Sequence, residues 1–371
     1  MEITDDKLNI LVIGDPHIME SSYKDIEELN DKIVKFIETT PNIDFVVILG
    51  DLLDKHERTT VYPHFQAVKF LKSIKKYLPT FLLIGNHDRP HNTDFLSDIH
   101  FFTGLDECKN LYIIDKIKIY NICKINGVLS IKDYETCEGL PDTNKFVFGP
   151  YVSDGRLIEA LNTKRNYIKN YENIVCMFLH QNISGVMING MISTTGDQVP
   201  GHGFPLIISG HIHEHQYLPH KKVVYVGSSR QIHKNEAPDK TVSVFKFDLK
   251  DENYNFEELR IDLNLRKKVT ITVEASRLSN LILPENASIY LLISGNSSEI
   301  KALKKNQTFR TIEKDKSIRI SYNIIDPDPI DAVYNIKVDC EKKESLPYLV
   351  RLKDKIKSNP EHLILFNEIF G

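Results

Sequence analysis

The chain has no tryptophan and only five cysteines in 371 residues. It also lacks any apolar run approaching the ~18 residues that a membrane span requires. Met1 to Ile10 has no charged-then-apolar leader, so neither a span nor a secretory signal is visible, and the expected location is intracellular. The cysteines (108, 123, 137, 176 and 340) are scattered, odd in number and never in a C-x-x-C pair, which excludes a disulfide scaffold or a cysteine zinc cage and predicts reduced thiols. The glycosylation-like triplets at Asn182, Asn286 and Asn296 have no meaning without a secretory route. With 41% hydrophobic and 26% charged residues the composition is that of an ordinary globular protein, and the length predicts two or three domains.

What is present is a set of five polar clusters: Asp15-Pro16-His17, Gly50-Asp51, Gly85-Asn86-His87-Asp88, His180, and Gly210-His211-Ile212-His213. Each ends an apolar run: Ile10 to Ile13, Phe45 to Leu49, Phe81 to Ile84, Ile174 to Leu179 and Pro205 to Ser209. Such runs read as buried strands. In open α/β sheets the chemistry gathers beyond the carboxyl ends of the strands, so five clusters at five strand ends can meet in one crevice. Singly, an Asp or His beside Gly is turn chemistry. The ordered set of five is not explained that way.

Carboxylate, amide oxygen and imidazole form a mixed donor set suited to manganese, iron or zinc, and two divalent ions, most simply Mn2+, are expected. A pair of such ions roughly 3.5–4 Å apart can clamp the attacking and leaving oxygens of a displacement at phosphorus. They need a shared carboxylate. Asp51, after Gly50 where the backbone can turn sharply, is the natural choice.

The motifs D-x-H, GD, GNHD, H and GHxH in this order resemble the calcineurin-like metallophosphoesterases. The resemblance implies one metal on Asp15, His17, Asp51 and His213 and a second on Asp51, Asn86, His180 and His211. It further implies that His87 faces the substrate as the catalytic acid, with Asp88 fixing its orientation, and that metal-bound water supplies the nucleophile.

From Leu8 to about Leu249 strands alternate with amphipathic patterns, including Ile26, Leu29, Ile33, Phe36 and Ile37, and Phe65, Val68, Leu71, Ile74 and Leu78. Further strands are expected at Leu111 to Ile114, Tyr120 to Ile131, Val223 to Val226 and Val242 to Phe247. A helix is expected from Arg156 to Tyr171, and a long loop from Gly185 to Gly203. The alternation reads as α/β, and the resemblance implies a metallophosphoesterase sandwich of two mixed sheets flanked by helices over residues 1–262. Between Asn264 and Asn323 there are eleven Lys and Arg against five Asp and Glu, a net of +6, in a chain whose total is −4. This stretch predicts a small basic α+β module (263–325), which family resemblance implies to be a capping domain. Its strands are expected at Val269 to Val273, Ile289 to Ile293, Thr308 to Ile312 and Ile318 to Asn323, with a helix at Glu299 to Lys305. Arg266, Lys267, Lys268, Lys304, Lys305 and Arg310 are its candidate DNA contacts. Asp326-Pro-Asp-Pro329 opens a linker (326–345). Two short amphipathic helices are expected beyond it (346–371), with Leu349, Leu352, Leu363 and Phe366 in stripes that need a partner, either the body of this chain or another chain.

The whole chain is similar to the SbcD-type nuclease subunits of double-strand-break repair complexes. Gly50 to Asp54, Phe178 to Asn182, Ser209 to Glu214 and Val224 to Ser228 carry that likeness. Asp54 stands where some members have a second histidine, with His56 and His64 close by in sequence. The likeness implies a manganese-dependent DNA exonuclease and endonuclease acting on ends, hairpins and single strands with an SMC-like ABC-type ATPase, and leaves a homodimer open. The competing readings are a phosphatase or nucleotide phosphodiesterase, and a non-catalytic scaffold for the ATPase.

Overall fold

Strand Lys7–Ile13 is the spine of a six-stranded sheet whose order is Phe256–Ile261, Val242–Asp248, Lys7–Ile13, Phe45–Ile48, Thr80–Leu83, Leu111–Ile114. The last four of these run parallel, and the first two are antiparallel additions at one edge. The computed structural model describes residues 7–325 except 57, 138, 140–142, 189, 202, 252–253, 285–286 and 315–317. The linker expected at 326–345 and the helices expected at 346–371 lie outside the described residues.

A second sheet of seven strands runs Gln216–Leu218, Val223–Tyr225, Leu206–Gly210, Ile174–His180, Lys145–Phe148, Lys118–Ile125, Val128–Asp133, with its four central neighbours parallel. Alternate residues of the two sheets meet in one core: Ile10, Val12, Phe45 and Phe81 from the first, Phe146, Phe148, Phe178 and Ile208 from the second. Phe81 and Phe148 stack with ring centroids 4.4 Å apart. Burying each such ring is worth about 1.5–3 kcal/mol. The opposite face of the first sheet, with Leu11, Ile13, Val46 and Ile48, is covered by helices Tyr23–Thr39 and Val61–Lys75 through Leu29, Ile33, Phe70 and Leu71. The outer face of the second packs on Leu157, Leu161 and Val186. Strands covered on both faces explain the unbroken apolar runs. This is the expected α/β sandwich of two mixed sheets with helices outside.

Some local expectations change. Tyr120 to Ile131 is a hairpin, not one strand, because Asn126 and Gly127 both take positive φ (53° and 76°) at its turn. The helix expected from Arg156 to Tyr171 is confined to Leu157–Asn162, and Asn170 and Tyr171, at positive φ, cannot continue a helical path. Phe65 points out to solvent; Gln66, Ala67 and Phe70 join the expected Leu71 and Ile74 in the buried stripe. The loop after His180 contains a short hairpin, Met187–Ile188 with Met191–Ile192.

The basic stretch builds a third, three-stranded parallel sheet in the order Lys267–Glu274, Ala287–Gly295, Ile318–Ile324. Thr308 to Ile312 is not a strand: it lies in helix Gln307–Lys314, which sends Phe309 and Ile312 onto Leu291 and Ile293. Its β-branched residues favour a strand, and core packing overrides them. Lys32 of the body holds the entry to this module through the carbonyls of Leu263 (3.1 Å) and Asn264 (2.7 Å). Cys108, Cys123, Cys137 and Cys176 are free thiols. No helix among the described residues is long and apolar enough to cross a membrane.

Candidate metal centre

The parallel strands of both sheets end on the same side, and the polar residues just beyond them meet there. Loops after Lys7–Ile13, Phe45–Ile48 and Thr80–Leu83 bring Asp15, His17, Asp51 and Asn86; strands Ile174–His180 and Leu206–Gly210 bring His180, His211 and His213. All seven candidate ligands fall in one cluster. Asp15, His17 and His213 offer donor atoms within 4.8 Å of one another, as do Asp51, His180 and His211. Asp51 Oδ2 stands between the two groups, 3.5 Å from His17 Nε2 and 3.3 Å from His180 Nε2. Asn86 Oδ1 is 3.0 Å from His180 Nε2 and 3.0 Å from His211 Nδ1.

Reaching this arrangement strains the backbone. Asp15, His17, Asp51 and His211 all sit at positive φ (39°, 46°, 47° and 78°), a region that non-glycine residues seldom occupy. Gly85 is required beside them, since a Cβ there would lie 2.2 Å from Asp51 Oδ1 and 2.3 Å from the Asp51 nitrogen.

The donor set fits divalent cations better than protons. His180 Nδ1 donates to the Leu49 carbonyl at 2.7 Å, so Nε2, which faces two oxygens, is the nitrogen that can give up its proton to a cation. His17 and His213 point Nε2 at Nε2 across 3.1 Å, and a proton can sit on only one of them. Asp15 Oδ1 accepts the His211 amide at 2.9 Å, whereas its buried Oδ2 has no partner among the described residues. Cations between these lone pairs would satisfy all of them.

Without a metal, protons carry the compensation. Burial alone would raise Asp51, but His180, His17 and His87 outweigh it and hold the carboxyl well below its ordinary range. Burial would lower His180; Asp51 and Asp15 instead push it up to about 9. Burial and the neighbouring His180 take His211 down to about 3, leaving it a neutral imidazole ready to ligate.

Several neighbours position the candidate ligands. Glu236 Oε1 meets His213 Nδ1 at 3.1 Å, and this contact, with the Ile232 amide, overcomes burial to bring the Glu236 carboxyl down to about 2. Asp54 Oδ1 lies 3.3 Å from His17 Nδ1. Arg230, fully buried, donates to the carbonyls of Pro16 (2.7 Å) and His17 (2.5 Å). No sequence motif flags Glu236 or Arg230.

His87 is partly exposed beside the cluster, with Nε2 4.0 Å from Asp51 Oδ2. The expectation that Asp88 orients it is corrected by the geometry. Asp88 is buried and accepts the amides of Leu53 (2.9 Å), Gly85 (3.0 Å) and Leu52 (3.3 Å), which pins the Asp51 loop to the Asn86 loop. Burial and Asp51 push its carboxyl up to about 6. His87 is instead held through Nδ1 by the Asp54 carbonyl at 2.5 Å and by His56, stacked 4.2 Å away. Asp88 is thus a positioning residue. Elsewhere, His64 bonds the Phe101 carbonyl and His215 bonds Glu258.

Of the candidate DNA contacts, Lys267, Lys304, Lys305 and Arg310 are exposed, with Lys304 resting 4.6 Å over the Tyr322 ring. Arg266 is partly buried, its Nε without a partner among the described residues. Lys268 does not face outward: its Nζ donates to the Ile232 carbonyl at 2.6 Å, 3.9 Å from Asp25. Its aliphatic stem is packed at the join between module and body, which a charge count cannot foresee.

Comparison with known proteins agrees with the chemistry of this cluster. The sequence model of the family described as Calcineurin-like phosphoesterase matches residues 8–215. Protein 244L of Invertebrate iridescent virus 6, a phosphoesterase by name, is 35% identical over 307 residues, covering 81% of this chain and 99% of its own. Protein 078R of Invertebrate iridescent virus 3, named likewise, is 30% identical over 322 residues, covering 86% of this chain and 85% of its own. The crystal structure of a 5'-nucleotidase precursor from Thermus thermophilus aligns with TM-score 0.35 and 11% identity over 69% of this chain and 54% of its own.

Two outcomes are expected from the geometry. Glu236→Gln should weaken manganese affinity about 10–100-fold, as losses of ligand-orienting partners do; titration calorimetry measures it, and an unchanged affinity would dissociate Glu236 from the centre. The second concerns pH. A folded pKa of about 9 for His180 means that its contribution to the metal-free fold is full below its ordinary value near 6.5 and is lost as pH rises through about 9. Metal must displace that proton, so the rise in melting temperature conferred by manganese should be larger at about pH 8.5 than at about pH 6.5. A pH-independent increment would show that no histidine proton is released.

Proposed function

The chain belongs to the calcineurin-like phosphoesterases, and from that premise we propose that it is a two-metal nuclease cleaving the phosphodiester bonds of DNA, with an ABC-type ATPase as partner. The observation that carries this reading is the join between the basic module and the ligand-bearing loops. Arg319 of the module reaches the Ser21 carbonyl at 3.5 Å, four residues beyond His17. The Lys268 amide donates to Gln231 Oε1 at 2.8 Å, next to Arg230, which holds the Pro16 and His17 carbonyls. Positive charge beside a phosphoesterase centre suits a polymer of phosphates, whose counterions are released on binding. Arg266, Lys267, Lys304, Lys305 and Arg310 are the module residues proposed to contact its backbone.

Asp15, His17, Asp51 and His213 would hold one divalent ion, and Asp51, Asn86, His180 and His211 the other, manganese being the proposed metal. When bound, such ions supply Lewis acidity at phosphorus and water of lowered pKa. The chain's own residues do the rest. His87 Nδ1 donates to the Asp54 carbonyl, so Nε2 faces the cluster, where its protonated form delivers a proton to the departing oxygen. His56 stacks on the His87 ring and limits its rotation. Asp88 ties the Asp51 and Asn86 loops to each other through three amides, fixing the distance between the two halves of the centre.

Purified chain with manganese should degrade linear DNA, and His87→Ala should slow this by about 10²–10⁴-fold with manganese binding retained. Release of phosphate from monoesters with DNA left intact would replace the nuclease with a phosphatase. The ATPase partnership rests on the apolar stripes of 346–371. Deleting these residues should abolish co-purification of the ATPase while leaving the manganese content unchanged; an intact complex after the deletion would end that part of the proposal.

A further inference from the structure

Between the module and the body lies a cavity of about 280 Å³, away from the metal cluster. It is walled on one side by Arg266, Lys268, Tyr290 and Arg319 of the module and on the other by Ser22 and Asp25 of the body. With the exposed Lys24 on the body side, four cations face one carboxylate. Neither the Arg266 nor the Arg319 guanidinium has a carboxylate within 4 Å among the described residues, and Asp25 stands 3.9 Å from Lys268. The Arg266 Nε is buried and without a hydrogen-bond partner among the described residues, an arrangement that costs free energy unless a ligand supplies an acceptor. Arg319 is splayed rather than paired, with Nη1 3.3 Å from the Tyr290 hydroxyl and its guanidinium 5.5 Å from the ring centroid. Accepting there leaves the Tyr290 O–H free to donate. Burial, with Arg230 and Arg319 close by, lowers Lys268 to about 8, against the opposing pull of Asp25.

We propose that this junction binds a phosphate group, gripped by Arg266, Lys268 and Arg319 and by the Tyr290 hydroxyl. Converging guanidinium forks match phosphate oxygens, and bonds of this charge-assisted kind are about twice as strong as neutral ones. The same chemistry has two sources, a backbone phosphate of a nucleic-acid strand or a free phosphate compound. The first rests on the nuclease reading and makes the junction a second grip on the strand cut at the metals. The pocket is also wired to the centre: Ser22 Oγ in its wall accepts from Arg230 Nη2 at 3.3 Å, and Arg230 holds the His17 carbonyl.

The test uses the full chain stripped of metal by a chelator and titrated with inorganic phosphate, followed by phosphorus NMR line width. Arg319→Ala should weaken phosphate binding about tenfold, the equivalent of one charge-assisted bond. Arg319→Lys should recover part of it, and Lys301→Ala, exposed on helix Ser297–Leu303, should bind as the unaltered chain does. Unaltered affinity in both Arg319→Ala and Arg266→Ala overturns the site. A short single-stranded oligonucleotide identifies the source. If Arg319→Ala weakens its binding in the same proportion and phosphate competes with it, the backbone is the ligand. If only free phosphate responds, the strand is overturned as the source. A chain that cuts no DNA yet keeps Arg319-dependent phosphate binding loses the nuclease reading and retains the pocket.

Discussion

The arrangement of this molecule depends on one buried carboxylate oxygen, Asp51 Oδ2, placed between the buried rings of His17 and His180. In a medium of low polarity an oxygen so placed needs positive charge next to it, and the metal-free chain provides a proton on His180 for the purpose. Four candidate ligands adopt left-handed backbone, each at a cost of order 1–3 kcal/mol, and the fold sustains this because the buried central strands of two sheets fix the ends of the loops. Divalent cations would offset both the strain and the unmatched lone pairs. The sandwich can be read as the frame that keeps an otherwise unfavourable cluster in place.

The ligand clusters were legible in the sequence because each comes directly after an apolar run that can only be a buried strand. Strand direction then dictates that their ends converge, so residues 15 and 213 meet although nothing local says so. Expectations failed where the deciding interaction is tertiary. Asp88 adjoins His87 in the chain, and adjacency suggested contact. The carboxylate in fact turns inward to three amides, and the group that meets the His87 ring is the carbonyl of Asp54, more than thirty residues away. Glu236 and Arg230 carry no motif. Their roles come from buried hydrogen bonds to His213 and to the His17 carbonyl, which no periodicity encodes.

The basic module shows the same division between pattern and context. Its net charge is visible from composition, but the direction of each charge is not. Lys268 precedes a run of alternating apolar residues and reads as a solvated strand start, yet it is folded into the join, where its ammonium donates to the Ile232 carbonyl. The stretch from Thr308 to Ile312 is β-branched enough to suggest a strand. Only the need to cover Leu291 and Ile293 with Phe309 and Ile312 makes it helical. Local propensity is worth tenths of a kcal/mol per residue, and burying one phenylalanine outweighs it.

The buried guanidinium of Arg230 gives this join a further consequence. An arginine with burial against it is tolerated only when its donors are used, and here they go to Pro16, His17 and Ser22. His17 lies at positive φ and has little freedom to drift without moving its imidazole. Any load that shifts Ser22, on the wall of the junction, therefore passes through one rigid fork to a candidate metal ligand. Such a connection consists of hydrogen bonds and one planar group, with no soft segment between them, and that is the physical requirement for a ligand held by the module to influence the candidate metal centre.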